Sequence, residues 1–564
     1  MANRGDVEEE ERLLEGKSTD EKNSGVTTRV LEDKVTWRNL PHKKQLLLLA
    51  LCRLSTPLSN ACLLPYLYYL VKSILDDPDH PSAPQKISRM TGLLVAAYPI
   101  GQMMTSMLWG RLSDTYGRKP AILLGLTISV TANLAFGFSR SIGMLLFWRV
   151  LAGMANGILG VMRTMTAEIV KDRTYQTRAF LALPLIFNSG RVAALAIGGC
   201  LADPVDNLPW LFGPTGLFNF ARNPDGVAWT IKYPYALPAL FNGTVLALCL
   251  IFATLWLKES LPTKEQDWDL GLAIRQSISG FIKRKILRKA DSGYTAVQIE
   301  EAEVIMADVP IAEATSTGSL TPTHSTTKPY RPPFREIWTR PLLKALLAFA
   351  LLPLHNATFL HVFPVFLSMP TAPNIHPTVF RFTGGLGLAS PTVGLYLATF
   401  GICGILLQLF IYPRIQKRVG TLGVFRLANA IFPLAYIFAP YLSLLAGNAT
   451  AKWPAMAGVL FSQVIARTMA IPSSVILLTE AAPRRSVLGT VHGAGNTLSA
   501  LASATGPVIG GMLLARGIDG GAVGVVWWCW LLLVALAALG WSLMLDKSED
   551  GDEEKEMAPL EKGV

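Results

Sequence analysis

The sequence predicts an all-α membrane protein with twelve transmembrane helices in two six-helix pseudo-symmetric halves. Its 564 residues are 51% hydrophobic and only 16% charged, too little polar surface for a soluble globule of that size. Apolar runs long enough to cross a bilayer recur in two groups of six, each near the roughly twenty residues a spanning helix needs. Landmarks of the first group return in the second at a fixed interval: Glu168 precedes Gly198-Gly199 by 30 positions, and Glu480 precedes Gly510-Gly511 by the same 30.

The first group covers approximately 45 to 75, 90 to 111, 119 to 139, 142 to 168, 178 to 202 and 237 to 257. The second covers 341 to 367, 390 to 412, 422 to 444, 453 to 479, 486 to 514 and 523 to 545. Five regions follow: an N-terminal tail, 1–44, read as disordered; a bundle, 45–257; a polar central loop, 258–340; a second bundle, 341–545; and an acidic tail, 546–564. Two such halves place a solute site at their interface, near the bilayer midplane. Within the central loop, apolar positions from Trp268 to Lys289 recur at helical spacing and end in Lys283, Arg284, Lys285, Arg288 and Lys289. This pattern fits a helix lying on an anionic leaflet and equally a solvated linker.

Orientation is read from cations in short loops. Arg111, Arg118 and Lys119, then Lys171, Arg173 and Arg178, then Arg414, Lys417 and Arg418, then Arg484 and Arg485 all fall on one side, which makes both termini cytoplasmic. The opposite loops carry Asp76, Asp77, Asp79, Asp203, Asp206 and Asp225, and the sequon at Asn448 falls on that side. This clustering accounts for the net charge of +11 without nucleic acid, for which no basic, aromatic-studded domain is present. Residues Glu9 to Leu14 fit an acidic dileucine sorting pattern, so the expected location is a vacuolar or endosomal membrane, or the plasma membrane. The six cysteines lie in apolar runs without metal-type spacing and read as packing residues. No metal site, cofactor or enzymatic motif is expected, and the partners are a small-molecule solute, the lipid bilayer and, where transport is coupled, protons, with the chain monomeric.

The most telling segment is Trp109-Gly110-Arg111-Leu112-Ser113-Asp114-Thr115-Tyr116-Gly117-Arg118-Lys119-Pro120, a short basic turn wedged between two lipid-length runs. It resembles the signature between the second and third helices of major facilitator superfamily transporters, Gly-x-x-x-Asp-x-x-Gly-Arg-Arg/Lys, with Gly110, Asp114, Gly117, Arg118 and Lys119 in every place. Trp109 before it, Pro120 after it, Leu51-Cys52-Arg53, the run from Arg163 to Asp203 and Gly384-Gly385-Leu386-Gly387 are similar to fungal members of the zinc-induced facilitator-like branch. The likeness covers roughly residues 40 to 545, and the turn at Arg414, Lys417, Arg418 and Gly420 looks like a decayed copy of the motif.

This resemblance implies the major facilitator fold and a transporter working by alternating access. Asp114 is then expected to accept from free amides at the start of the eleventh span, near Val487 to Thr490, where a carboxylate also meets the helix's positive end. By the resemblance, Arg118 bridges to Glu168 at the end of the fourth span, and Arg149, in Arg149-Val150-Leu151-Ala152-Gly153 with Asn156 one turn past that stretch, matches a fourth-helix motif linked to proton coupling. A buried arginine that only pins neighbouring carbonyls is the competing reading of Arg149. Two departures count against a proton antiporter: Ala194-Leu195 stands where the antiporter motif has Gly-Pro, and Thr56 stands where many relatives carry an acid.

Arg53, Arg163, Arg191 and Arg467 add cations in or near the spans, while clear mid-membrane acids are absent. That imbalance favours a cavity of positive potential and an anionic or strongly polarised solute, although such side chains also snorkel to the surface. His355, His361 and His492 are candidate proton carriers, against the commoner outcome of a satisfied histidine within a helix bundle. Gly190, Gly506 and Pro507 are candidate pivots, since small residues permit close approach and proline permits bending. A secondary active transporter is the leading reading, with a non-transporting membrane receptor or sensor of the same fold as the alternative.

Overall fold

In the computed structural model, residues 41–76, 83–170, 173–261, 264, 337–372, 377–483 and 488–545 are described. The dileucine pattern and the 268 to 289 segment lie outside them. Among the described residues all regular structure is helical. Eight helical stretches are long and apolar enough to cross a membrane by length and composition. One of these, Ser390–Leu445, holds two expected spans joined at Gly420, whose φ of 76° breaks the helix. The second span, Pro84–Tyr116, has the length but is more polar, and the first and twelfth are divided into shorter segments, which brings the total to twelve.

The first span departs from the single run expected. It forms Lys43–Cys52, Ser55–Asn60 and Leu67–Leu75, because Pro65 has no N–H to continue the ladder and the chain between 61 and 66 closes in turns instead. The fourth span likewise breaks into Ile142–Ala155 and Ile158–Ile169. There the Met154 carbonyl accepts from the Trp109 indole at 2.6 Å and from the Thr105 hydroxyl at 2.8 Å, so the second span fills the break. The remaining spans are Arg118–Gly137, Arg173–Leu201, Ala236–Trp256, Arg340–Ser368, Ser390–Leu406 with a π-helical turn at Leu407–Ile411, Tyr412–Phe438, Ala449–Glu480, Leu488–Asp519, and Trp527–Leu532 running into Leu533–Leu543.

The two halves meet chiefly through two pairs, the second span against the eleventh and the fifth against the eighth. Each pair is built on the double glycines of the repeat. A Cβ on Gly511 would lie 2.6 Å from the Ser88 carbonyl oxygen and 3.2 Å from Gly92 Cα, and one on Gly199 would strike the Ser390 carbonyl and lie 3.0 Å from Gly394 Cα. Their partners Gly198 and Gly510 pack inward, on Cys62 of the first span and Thr358 of the seventh. Gly198-Gly199 and Gly510-Gly511 are thus equivalent two-sided joints, one glycine facing its own half and the other crossing to its neighbour.

The equivalence of the second and eighth spans shifts by one residue along their length. Ser88 corresponds to Ser390, an offset of 302 (390 − 88), whereas Gly117 corresponds to Gly420, an offset of 303 (420 − 117). The π-helical turn at Leu407–Ile411 lies between these landmarks, and a π-bulge accommodates one additional residue without ending the helix.

These crossings lie at the helix ends remote from the charged turn. Nearby, the Tyr69 hydroxyl donates to the Leu388 carbonyl at 2.7 Å, the Ser390 hydroxyl to the Gly199 carbonyl at 3.3 Å, and His361 Nε2 meets Thr91 Oγ1 at 3.1 Å. Replacing Gly511 with Leu should cost about 1–3 kcal/mol by overpacking and lower the thermal midpoint in detergent, whereas Gly110→Leu, which meets open space, should leave it unchanged. Equal midpoints for both variants would contradict the backbone contact.

Candidate functional site

Two regions of the molecule gather polar side chains among apolar helices: the charged turn and a cavity between the halves. At the turn, Gly117 has φ 109° and ψ 158°, a left-handed-side conformation that glycine alone adopts without strain. The chain reverses there and Arg118 enters the bundle, its side chain only 9% exposed. Arg118 Nη2 donates to Glu168 Oε1 at 3.0 Å, Nε reaches the same carboxylate at 3.2 Å, and Nη1 reaches Ser113 Oγ at 2.9 Å and the Asp114 carboxylate. Asp114 itself remains exposed. Residues 484–487, before the eleventh span, are outside the described set, as is the side chain of Leu488, so the expected contact of Asp114 falls largely on them.

Glu259, which the sequence reading passed over, completes this site. Its carboxylate accepts the backbone N–H groups of Arg118 at 2.9 Å and Lys119 at 3.0 Å, together with those of Ser260 and Leu261 at 2.9 and 3.0 Å. The first N–H groups of a helix have no partner inside it, so a carboxylate from the end of the sixth span satisfies the start of the third. The Ser260 hydroxyl then donates to Glu168 Oε2 at 2.6 Å, tying both acids together. A Cβ on Gly117 would lie 2.5 Å from Glu259 Oε2, so Gly117 is required for space as well as for its dihedral. In the sequence it is marked only by its place, two residues past the sixth apolar span.

Between the halves lies a cavity of about 270 Å³. The first and seventh spans line it with the same pattern, Pro57, Asn60, Ala61 and Leu64 facing Pro353, Asn356, Ala357 and Leu360, each pair 296 positions apart (353 − 57). Phe187 and Arg191 of the fifth span are matched by Ser499 and Ser503 of the eleventh at the offset of 312 (503 − 191) set by the double glycines. The symmetry is broken at Arg191, whose counterpart is a serine. Pro507 contributes no N–H to the Ser503 carbonyl one turn earlier, which softens the eleventh span beside the cavity.

Of the side chains expected to face a solute, Arg191 lines this cavity. It makes no hydrogen bond to any described residue, and the charge of Arg467, across in the tenth span, acts on it. Arg467 is half-buried, with its Nε buried and left without a partner. Arg149 stands behind the wall: Nη1 donates to the Ser59 carbonyl at 2.6 Å, Nε to the Leu94 carbonyl at 3.2 Å and Nη2 to Asn60 Oδ1 at 2.8 Å. It therefore pins carbonyls of the first and second spans, and its guanidinium lies 5.1 Å from the Tyr98 ring centre. Arg53 also sits behind the lining, 4.7 Å from the Phe187 ring centre, and donates to Thr56 Oγ1. Thr56 in turn donates to Asn156 Oδ1, and Asn156 Nδ2 donates to Gln102 Oε1 at 2.9 Å. Arg163 is exposed at the fourth span.

The histidines separate. His355 is buried beside Tyr436, with Nδ1 2.7 Å from its hydroxyl, and His492 pairs with Thr479 Oγ1 at 3.2 Å within the second half. Neither is among the cavity residues. His361 is, and its tautomer follows from its neighbour. The Thr91 hydroxyl donates to the Ser88 carbonyl at 2.9 Å, so Thr91 Oγ1 accepts from His361 Nε2–H and leaves Nδ1 as a bare, buried acceptor. Of the expected pivots, Gly190 packs on Leu54 and Pro57, and Gly506 on the Leu354 carbonyl. Among the described residues no three His, Cys, Asp or Glu side chains gather as a metal site.

Two six-helix halves around a central polar cavity, with a charged turn at one end, define a multi-pass membrane transporter. The chain belongs to the Major Facilitator Superfamily, whose family profile matches residues 49–373. The major facilitator superfamily multidrug transporter mfsB of Aspergillus fumigatus is 31% identical over 525 residues, covering 88% of this chain and 83% of its own. Protein ZINC INDUCED FACILITATOR 1 of Arabidopsis thaliana is 27% identical, covering 82% of each, in keeping with the branch resemblance. Among solved structures, the inward open conformation of the xylose transporter XylE from E. coli matches with a TM-score of 0.55 at 11% identity, over 88% of this chain and 95% of its own.

Glu259→Ala should lower the thermal midpoint, since each buried N–H left unpaired costs about 1–3 kcal/mol. Glu259→Gln, which keeps one acceptor oxygen, should fall between that variant and the parent. A midpoint unmoved in both would remove Glu259 from the turn.

Proposed function

We propose that the chain is a secondary active transporter that moves a small anionic solute across the membrane by alternating access. The observation that carries this reading is Arg191, a cation in the wall of the central cavity with no acid to neutralise it. All described acids lie at helix ends or in loops, so the cavity potential is positive and favours an anion. The cost of keeping a guanidinium at such a depth, about 2.5 kcal/mol or more, supports a working role.

With both termini cytoplasmic, the charged turn faces the cytoplasm and the glycine crossings face outward. The conformation described is then the one closed to the outside. Opening outward requires Gly92 to part from Gly511 and Gly199 from Gly394, and the freed Asp114 fastens the cytoplasmic side by accepting from the start of the eleventh span. His361 is the group we assign to coupling with a proton gradient: its Nδ1 carries a free lone pair beside the cavity, and its Nε2–H holds the outer contact to Thr91. Arg149 and Asn156 act on the solute through the residues they hold rather than by touching it.

Purified protein should be stabilised in a thermal-shift screen by sodium salts of organic acids and not by tetraalkylammonium chlorides. The shift should shrink at least severalfold in Arg191→Gln. Stabilisation by the cations instead would overturn the anionic reading.

A further inference from the structure

A guanidinium has only donors, and this fixes the direction of each hydrogen bond it makes. Arg149 Nη2 faces Asn60, so the atom it meets must be the carboxamide oxygen, and the NH₂ of Asn60 is left for the cavity it lines. A second chain of hydrogen bonds runs the same way. Arg53 donates to Thr56, so the Thr56 hydroxyl hydrogen is free to donate onward to Asn156 Oδ1. Asn156 then has only its NH₂ to offer Gln102, which accepts through Oε1. The NH₂ of Gln102, another cavity residue, is thereby turned inward.

The second half reaches the same result by different means. Asn356, the repeat counterpart of Asn60, has its oxygen occupied by Gln463 Nε2 at 3.2 Å, and its NH₂ remains for the cavity. Three carboxamides from the first, second and seventh spans thus have their acceptor ends tied back into the walls. Arg191 stands among them as a fourth donor.

We propose that Asn60, Gln102, Asn356 and Arg191 form one donor-lined site that binds an oxyanion group, a carboxylate or a phosphate, of the transported solute. This rests on the anionic reading above and adds where the anion sits and what holds it. Acceptor-only oxygens complement these four side chains, which present only N–H to the cavity. The site draws on both halves, Asn60, Gln102 and Arg191 from the first and Asn356 from the second, so a bound oxyanion bridges them. Arg149 and Arg53 are positioning residues: each orients an amide and contacts no solute.

The test is titration calorimetry on the purified full-length protein with succinate and with inorganic phosphate, using sodium chloride at matched ionic strength as the control. Asn60→Asp and Asn356→Asp exchange the inward NH₂ for oxygen while keeping the acceptor that faces the wall. Losing one hydrogen bond to a charged group corresponds to about tenfold or more in Kd, and each variant should lose at least that. Ala357→Asp adds the same charge to the cavity without removing a donor, and should lose less; each variant's thermal midpoint reports its folding. Arg149→Lys, which still only donates, should bind within about threefold of the parent, and Arg149→Met should not. Succinate preferred over phosphate assigns the oxyanion as a carboxylate, and the reverse as a phosphate. If the parent binds both anions and the folded Asp variants bind them equally well, or no worse than Ala357→Asp, this site assignment is wrong while the anionic reading stands. If the parent binds neither anion, the anionic reading falls, and this assignment with it.

Discussion

A buried guanidinium must find acceptors, and a bundle of apolar helices supplies few. In this chain the acceptors are not acids but backbone carbonyls and side-chain amide or hydroxyl oxygens: Ser59, Leu94 and Asn60 for Arg149, and Thr56 for Arg53. Satisfying an arginine in this way leaves its charge uncompensated, which a carboxylate partner would not. The positive cavity potential that we propose follows from how its walls are held together. Arg118 is paired with acids at the turn, where it has Glu168 and Asp114 and sits close enough to water for the ions to be maintained, as Arg89 is with Asp519 at the exposed opposite ends.

The duplicated architecture explains where the cavity is and why it is not symmetric. The Pro-x-x-Asn-Ala-x-x-Leu pattern of the first and seventh spans and the double glycines of the fifth and eleventh give each half the same contacts. Against that background the exceptions carry the chemistry. Arg191 replaces what is Ser503 in the other half, and Arg149 tightens Asn60 where Gln463 holds Asn356. The decayed turn of the second half keeps the backbone of the first, with Gly420 at φ 76° against Gly117 at φ 109°, but has Lys417 where Asp114 stands. One half thus carries a full charged device and the other only its geometry.

Helix count, the charged turn and the double-glycine repeat were legible in the sequence because each is encoded by apolar length or by residues at a fixed spacing, whereas the Arg118 to Glu168 pair followed only from the family resemblance. The interior of the cavity was less so. Which face of a span meets solute depends on how it is rotated, and periodicity fixes this weakly when nearly every position is apolar. Arg149 therefore read either as a coupling charge or as a pin for neighbouring carbonyls until its partners placed it behind the wall, and His355 and His492 read like His361 until their neighbours separated them. The Pro57-to-Leu64 and Pro353-to-Leu360 repeat was present as letters but had no meaning before the cavity gave both copies one surface. Glu259 was missed because its role belongs to another helix: nothing near it shows that the amides of Arg118 and Lys119 need an acceptor.

The two ends of the molecule are built from opposite materials, and this bears on how it changes state. At the glycine crossings, backbone meets backbone, with a few hydrogen bonds from Tyr69, Ser390 and His361 and the exposed Arg89 to Asp519 pair beside it, and the dispersion gained there is lost once the helices separate by an ångström or so. At the charged turn, by contrast, Glu259 and Glu168 bind the third, fourth and sixth spans into one unit by hydrogen bonds that stay within a single half. Such a unit moves as a rigid body, and the small-residue seam between halves is where movement is cheapest. On the site we propose, an anion held by Asn60 and Arg191 on one side and Asn356 on the other would lie across that seam, so that its binding energy would be available to act on the motion of the halves. Substrate charge, helix spacing and conformational change meet at the same few residues.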